Sequence, residues 1–179
     1  MLKETIYDEQ NYPVRSTTRD LKSFIMNEEN DELVIQKLNH IFKTHADKRI
    51  LVLGTTCAGK STLVEHFPES RDQDDICWAL LPKELEKKLS GGPWTEELVN
   101  AWNNHVENAI RIVEIEPGRP LFAGSFFKSD IIIYLNVNEK TLRERTKKRG
   151  MTYETASDYN DVIKEKLLST DLPVIFINI

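Results

Sequence analysis

Eight consecutive residues, Gly54-Thr55-Thr56-Cys57-Ala58-Gly59-Lys60-Ser61, constrain this chain more than any other stretch of it. They fit G-x-x-x-x-G-K-[S/T] without a gap. The run in front of them, Arg49-Ile50-Leu51-Val52-Leu53, is short and continuously apolar, which predicts a strand buried on both faces of a parallel sheet. The residues behind them, Lys60 to His66, read as a helix that Pro68 ends. A strand, a glycine-bearing turn and a helix in that order make an anion cradle. Glycines let backbone N–H groups turn inward, and a helix N-terminus adds unpaired donors and the positive end of a dipole.

The cradle predicts contacts to the phosphates of a nucleoside triphosphate, ATP, from Gly54, Thr55, Thr56, Cys57, Ala58, Gly59, Lys60, Ser61 and Thr62. Lys60 is expected at the β- and γ-phosphates and the Ser61 hydroxyl on Mg²⁺.

The remaining chain alternates apolar runs with helical patterns, which implies βαβ units and a parallel sheet covered on both sides. Leu33, Val34, Leu38, Ile41 and Phe42 recur at helical spacing and predict a helix from Asp31 to about His45 that covers one side of the domain. Residues 76–118 read as helical, with a stripe of Leu98, Trp102, Val106, Ala109, Ile110 and Val113, and Pro117-Gly118 breaks them. Strands are expected at Pro120–Gly124, Ile131–Leu135 and Pro173–Ile177, and helices at Thr141–Arg149 and Asp158–Ser169. Before Asp31 the chain is polar and reads as a surface arm, with Thr18 as a candidate cap for a short helix through Met26.

Asp72-Gln73-Asp74-Asp75 follows the first helix. If Glu69 to Arg71 is a short strand, these acids share a rim with the phosphate loop, because functional groups of a parallel sheet gather at the C-terminal ends of its strands. An extended chain would point Asp72 and Asp74 the same way, with Gln73 opposed. A carboxylate there can hold Mg²⁺ or take a proton from an attacking hydroxyl; three acids in four residues also make an ordinary solvated turn. No apolar run ends in an aspartate, so the metal-holding acid of motor-type ATPases is missing. Arg143, Arg145, Lys147, Lys148 and Arg149 crowd one helix, where guanidinium groups can stabilise a phosphoryl group in transfer. The plainer reading of that helix is a solvated face paired with Glu139 and Glu144. Arg145 and Arg149 share one side of it.

Gly54 to Thr62, Asp72-Gln73-Asp74, the strand pair around Leu121 and Ile131, and Leu142-Arg143-Glu144-Arg145-Thr146-Lys147-Lys148-Arg149 together resemble the small P-loop kinases, the shikimate kinase, gluconate kinase and adenylate kinase-like group. The resemblance covers about residues 49–179. It implies a three-layer α/β/α fold whose five-stranded parallel sheet runs in order 2-3-1-4-5. It also implies an acceptor-binding helical insert at 76–118, a lid at about 143–157, and an N-terminal extension, 1–48, with a helix packed on the core. In such kinases a D-x-D after the second strand, here Asp72 and Asp74, arranges Mg²⁺ and deprotonates the acceptor. Arg145 and Thr146 fall where the family approaches adenine, and Gly124 and Ser125 where it faces the acceptor. Cys57 stands where the family's loop has glycine, and no arginine occurs beyond Arg149.

The resemblance therefore implies an ATP-dependent kinase that moves the γ-phosphoryl group to a small molecule. Lys60, Asp74, Asp72, Arg145 and Arg149 would be its catalytic residues, Ser61 and Asp72 its metal partners, and Arg145 a nucleotide contact. Nucleoside or nucleoside monophosphate kinases, and an ATP-binding regulator without transfer, stand as alternatives. Between the second and third strands the only arginines are Arg111 and Arg119, with Lys83, Lys87 and Lys88, which favours an uncharged or weakly charged acceptor. A GTPase would need N-K-x-D, and Asn136-Val137-Asn138-Glu139-Lys140 does not supply it. Leu89-Ser90-Gly91-Gly92 reads as a helix end rather than a transporter signature. Trp94 and Trp102 read first as core and second as acceptor lining. His66 and His105 are too scattered for a metal site.

Net charge is −5 and the pI about 5.5, which argues against general affinity for nucleic acid or anionic membrane. No run approaches the roughly 18 apolar residues of a membrane span. With two cysteines, Cys57 and Cys77, and no basic-then-apolar start, the expectation is a cytoplasmic protein in a reducing compartment, monomeric or homodimeric.

Overall fold

The computed structural model describes residues 5–7, 13–15, 31–90 and 95–179. Two short strands, β1 (Thr5–Tyr7) and β2 (Pro13–Arg15), pair antiparallel within the segment expected to be an irregular arm. The helix expected from Thr18 to Met26 lies outside the described residues, as do Gly91, Gly92 and Trp94. The elements that follow are α1 (Asp31–Thr44), β3 (Ile50–Leu53), α2 (Lys60–Val64), β4 (Arg71–Asp72) and α3 (Gln73–Ala79). Then come α4 (Lys83–Ser90), α5 (Glu96–Ile112), β5 (Leu121–Ala123) and β6 (Ile131–Asn136). Last are α6 (Glu139–Lys148), α7 (Tyr153–Leu168) and β7 (Val174–Asn178).

Strands β4-β5-β3-β6-β7 form one sheet in that order, every pair parallel. Counted from the sheet's own first strand this is the order 2-3-1-4-5. The fold is α/β, a five-stranded parallel sheet between helices. β3 is central, with Leu51 opposite Leu121 of β5 on one side and Ile132 of β6 on the other.

All four residues of β3 are buried, and their alternation divides the core. Ile50 and Val52 pack on one face with Val34, Leu38 and Ile41 of α1, Phe122, Ile133 and Leu135. Leu51 and Leu53 pack on the other with Leu121, Ile132, Tyr134, Ile163 and Leu167. A strand with two buried faces has no polar side to offer, hence its unbroken apolar run. Phe42 of α1 meets Phe67 edge-on, ring centroids 4.9 Å apart, and seals the first face. A helix is therefore present where 31–45 was read as helical, and it packs on the first core face.

The region read as helical from 76 to 118 is three helices. Pro82 stands between α3 and α4, and Thr95 caps α5 through the N–H of Leu98. Both α6 and α7 begin earlier than predicted, because Asn138 and Thr152 accept from the N–H groups of Thr141 and Thr155 and start the helices there. At the opposite end of the sheet, Arg49 and Asp130 close the entries of β3 and β6. Arg49 donates to Asp130 Oδ2 from its backbone N, at 2.9 Å, and from Nε, at 3.0 Å.

Leu135 is fully buried and packs beneath the first glycine of the phosphate loop. Leu135→Ala is expected to lower unfolding stability by ~2–5 kcal/mol, read by urea denaturation. A loss well under 1 kcal/mol would mean that the loop does not rest on this packing.

Candidate functional site

The central strand delivers the phosphate loop to the C-terminal rim of the sheet. Gly54 N donates to Ala123 O at 3.2 Å, which extends the β3–β5 ladder into the turn. A Cβ on Gly54 would lie 3.0 Å from the Ala58 Cβ and 3.3 Å from the Leu135 Cβ, so no side chain fits where the chain folds back on itself. Gly59 has φ 91°, and a Cβ there would lie 3.0 Å from Arg145 Nη1. Cys57 lies between them at φ 66°, the non-glycine residue with positive φ among those described. That conformation costs an L-residue roughly 1–2 kcal/mol. Burial of the thiol on the first core face, beside Ala58 and Leu63, opposes the cost. Cys57 thus occupies, in a left-handed conformation, the position where the kinases it resembles carry glycine.

The start of α2 differs from the other helix starts whose caps are described. Asp72, Thr95, Asn138 and Thr152 each cap their own helix with a side-chain oxygen. Gly59 offers α2 no such oxygen. The first N–H groups of a helix have no partner inside it, so those of Lys60, Ser61 and Thr62 are left for solvent or a ligand. Ser61 and Thr62 are exposed on that turn, and Thr56 is half-buried. Within the turn Ala58 N donates to Thr55 O at 3.1 Å. An uncapped helix start, a left-handed glycine and a following lysine fit a triphosphate.

Three cations attend the loop. Lys60 Nζ folds over it and donates to Gly54 O at 2.8 Å and Thr55 O at 2.9 Å. Burial pulls the Lys60 ammonium down to about 8, against the charges of Asp74 and Asp72, which favour the charged form. Arg145 Nη1 donates to Ala58 O at 2.9 Å and so lies across the loop at Gly59. Arg149 lies close enough to both Lys60 and Asp74 for its charge to shift each of them. Arg143 instead pairs with Glu139 at 2.8 Å and covers the Tyr153 ring, as the plainer reading of a solvated basic face expects. Thr146 is buried, its hydroxyl donating to carbonyls of its own helix.

A clasp from α7 holds the loop and the neighbouring rim together. Thr55 Oγ1 donates to Ala156 O at 2.7 Å, in a fully buried contact. One turn on, Tyr159 Oη donates to Gly124 O at 2.7 Å. Asn160 Oδ1 accepts from the Tyr134 hydroxyl inside the core.

The acidic segment is not the extended chain expected from sequence. β4 ends at Asp72, and the helix α3 begins at the next residue. Asp72 is buried, and its Oδ1 accepts from Asp74 N at 2.8 Å, the bond that turns the chain into a helix. Asp74 lies on the first turn of α3 and is exposed. Partial burial and the neighbouring Asp72 charge raise its carboxyl above the ordinary range, against Lys60 and Arg149. A carboxylate of raised pKa beside cations suits a general base.

Gln73 is the residue that sequence reading set aside. It is buried, and its Oε1 accepts from both Gly124 N and Ser125 N at 3.0 Å. Two N–H donors require an oxygen, so the amide orientation is fixed. Through it the first turn of α3 is bonded to the end of β5. Only the flanking aspartates signalled this position in the sequence. Among the described residues no cluster of three or more histidine, cysteine or acidic side chains is arranged to hold a metal. His105 instead bonds Cys77 O at 2.8 Å. No helix among the described residues is long and apolar enough to cross a membrane.

No protein-family model matches this chain, and no curated protein does. Among solved structures it is similar to a deoxyadenosine kinase from M. mycoides, determined with the products dCMP and a flexible dCDP bound. Identity is 16%, over 72% of this chain and 88% of that one, with a TM-score of 0.42. The fold assignment rests on the sheet order and the chemistry on the residues above, not on this likeness.

Lys60 supplies a pH test. Burial holds its ammonium down to about 8, and a polyanion in the loop would raise it again. Binding of Mg·ATP at pH 8 is therefore expected to take up roughly half a proton. Affinity should fall as pH rises through about 8. Calorimetry in buffers of different ionisation enthalpy reads the uptake, and Lys60→Met should abolish it. Uptake that survives Lys60→Met would place the titrating group elsewhere.

Proposed function

We propose that the protein is a Mg·ATP-dependent phosphotransferase that moves the γ-phosphoryl group to the hydroxyl of a small molecule. The observation that carries the reading is the meeting of Lys60, Arg149 and Asp74 at the mouth of the phosphate loop, each within range of the others' charge. A loop alone would hold a nucleotide. A base of raised pKa set against the same cations gives the nucleotide something to react with.

In this reading the N–H groups of Lys60, Ser61 and Thr62, at the uncapped start of α2, and the Lys60 ammonium hold the phosphates. Ser61 and Asp72 are the residues that would hold Mg²⁺, which neutralises charge on the transferred group and its leaving oxygen. Asp74 accepts the acceptor's hydroxyl proton as its oxygen bonds to the γ-phosphorus and the bond from that phosphorus to the bridging oxygen of ADP breaks. Arg145 and Arg149 lie where charge spreads over the phosphoryl oxygens. Catalysis of this kind is positioning and electrostatics.

An acceptor with little charge agrees with where the arginines lie. Arg119 stands before β5, at the end of the sheet opposite the loop, and pairs with Glu116 at 3.2 Å. Arg71, at the start of β4, donates to Glu114 O at 2.7 Å. Arg111 is exposed on the last turn of α5, where the chain heads for the start of β5. None of the three is placed to grip an acceptor phosphate at the rim.

A metabolite panel screened for ADP release, with Lys60→Met as the blank, tests the reading. Asp74→Asn is expected to lower turnover by about 10²–10⁴-fold and leave the Kd for Mg·ATP within about threefold. Unchanged turnover would remove Asp74 as base. Tight Mg·ATP binding with no turnover on any acceptor would make the protein a nucleotide-binding module.

A further inference from the structure

We infer that the phosphoryl acceptor carries a flat aromatic ring, which lies on an indole wall beside Asp74. The inference rests on the phosphotransferase reading and adds the chemical class of its acceptor.

Trp78 lies four positions after Asp74 on α3, so the two share a face, about 6 Å apart along the helix axis. Gln73 bonds the first turn of α3, which carries Asp74, to the end of β5, the strand next to β3 and its phosphate loop, so this turn stands at the rim of the site. Trp78 is 36% exposed, a large apolar surface left at the edge of a polar site. Its ring lies 5.3 Å from that of Trp102 of α5, tilted by 39°. Val99, one turn before Trp102, is also exposed and continues the apolar surface along α5.

The wall is fixed. His105 of α5 bonds Cys77 O of α3 at 2.8 Å, and its ring stands 6.1 Å from that of Trp102. Beneath, Cys77 packs against Val106 and Ala109. The burial of Cys77, with the charges of Asp74 and Asp72 nearby, lifts its thiol to about 11, as expected of an inert packing group. At the head of the same helix Gln73 ties α3 to the end of β5. Base and wall thus stand on one short helix anchored at both ends.

An indole face prefers a flat π-surface to a saturated ring of equal bulk. An acceptor that puts its hydroxyl at Asp74 and carries a ring two or three bonds further on would reach Trp78 without distortion.

The test measures binding to the full chain in Mg²⁺ and β,γ-imido-ATP, by saturation-transfer NMR and titration. The flat probes are tryptophol, 3-phenylpropan-1-ol and adenosine. The controls are 3-cyclohexylpropan-1-ol and glucose. The flat probes should bind at least about fivefold more tightly than the controls. Trp78→Leu should erase that preference, Trp78→Phe should restore most of it, and Asp74→Asn should keep it. Equal binding of 3-phenylpropan-1-ol and its cyclohexyl partner would overturn the inference, as would a preference that survives Trp78→Leu. If the preference is present but no phosphoryl group is transferred, the phosphotransferase reading fails and the aromatic site stands. Turnover on acceptors without a ring, with no ring preference, has the opposite meaning.

Discussion

Backbone N–H groups seek partners, and at the end of β3 this chain makes a tight turn into a helix whose first N–H groups no side chain caps. The rest of the structure depends on that turn. It is possible only because Gly54 leaves room for Ala58 and Leu135, and because Gly59 adopts a left-handed conformation beneath Arg145. No side chain caps the helix that follows. Lys60 closes over the turn and bonds the carbonyls of Gly54 and Thr55. The loop is thus a set of donors under a partly dehydrated cation, which is what a polyanion requires.

Such a loop must be held rigidly, and the sheet does this through its topology. Placing β3 between β5 and β6 buries both of its faces. The turn that leaves it is then surrounded by other elements. Helix α7 reaches the loop at Thr55 and the β5 rim at Gly124, while its later turns pack on the second core face. Asp72 and Gln73 do the same from the other side, one turning β4 into α3 and the other bonding α3 to β5. The candidate base therefore shares its support with the phosphate loop.

The loop and the central strand were legible in the sequence, because each leaves a local mark, whereas the sheet order came only with the resemblance those marks carry. A continuous apolar run marks a doubly buried strand, and the glycine–lysine spacing marks the cradle. The Asp72/Asp74 geometry was not legible. Reading them as extended assumed that the strand continued, whereas Asp72 accepts a backbone bond and ends it. Gln73 was set aside because its bonds run to residues 51 and 52 positions away. Long-range bonds of this kind leave no periodicity. Arg145 was placed near the nucleotide by resemblance, and in the structure it rests on the Ala58 carbonyl. No local pattern marks Trp78 as a neighbour of Trp102, since that pairing depends on how α3 and α5 pack.

The most direct test of the cradle watches its own amides. In a ¹H–¹⁵N spectrum of the 20.8 kDa protein, Mg·ATP should shift the backbone resonances from Thr56 to Thr62 far more than any others, with a smaller response at Asp74. Saturating Mg·ATP that left those amides in place, or moved resonances on another part of the surface instead, would contradict the account.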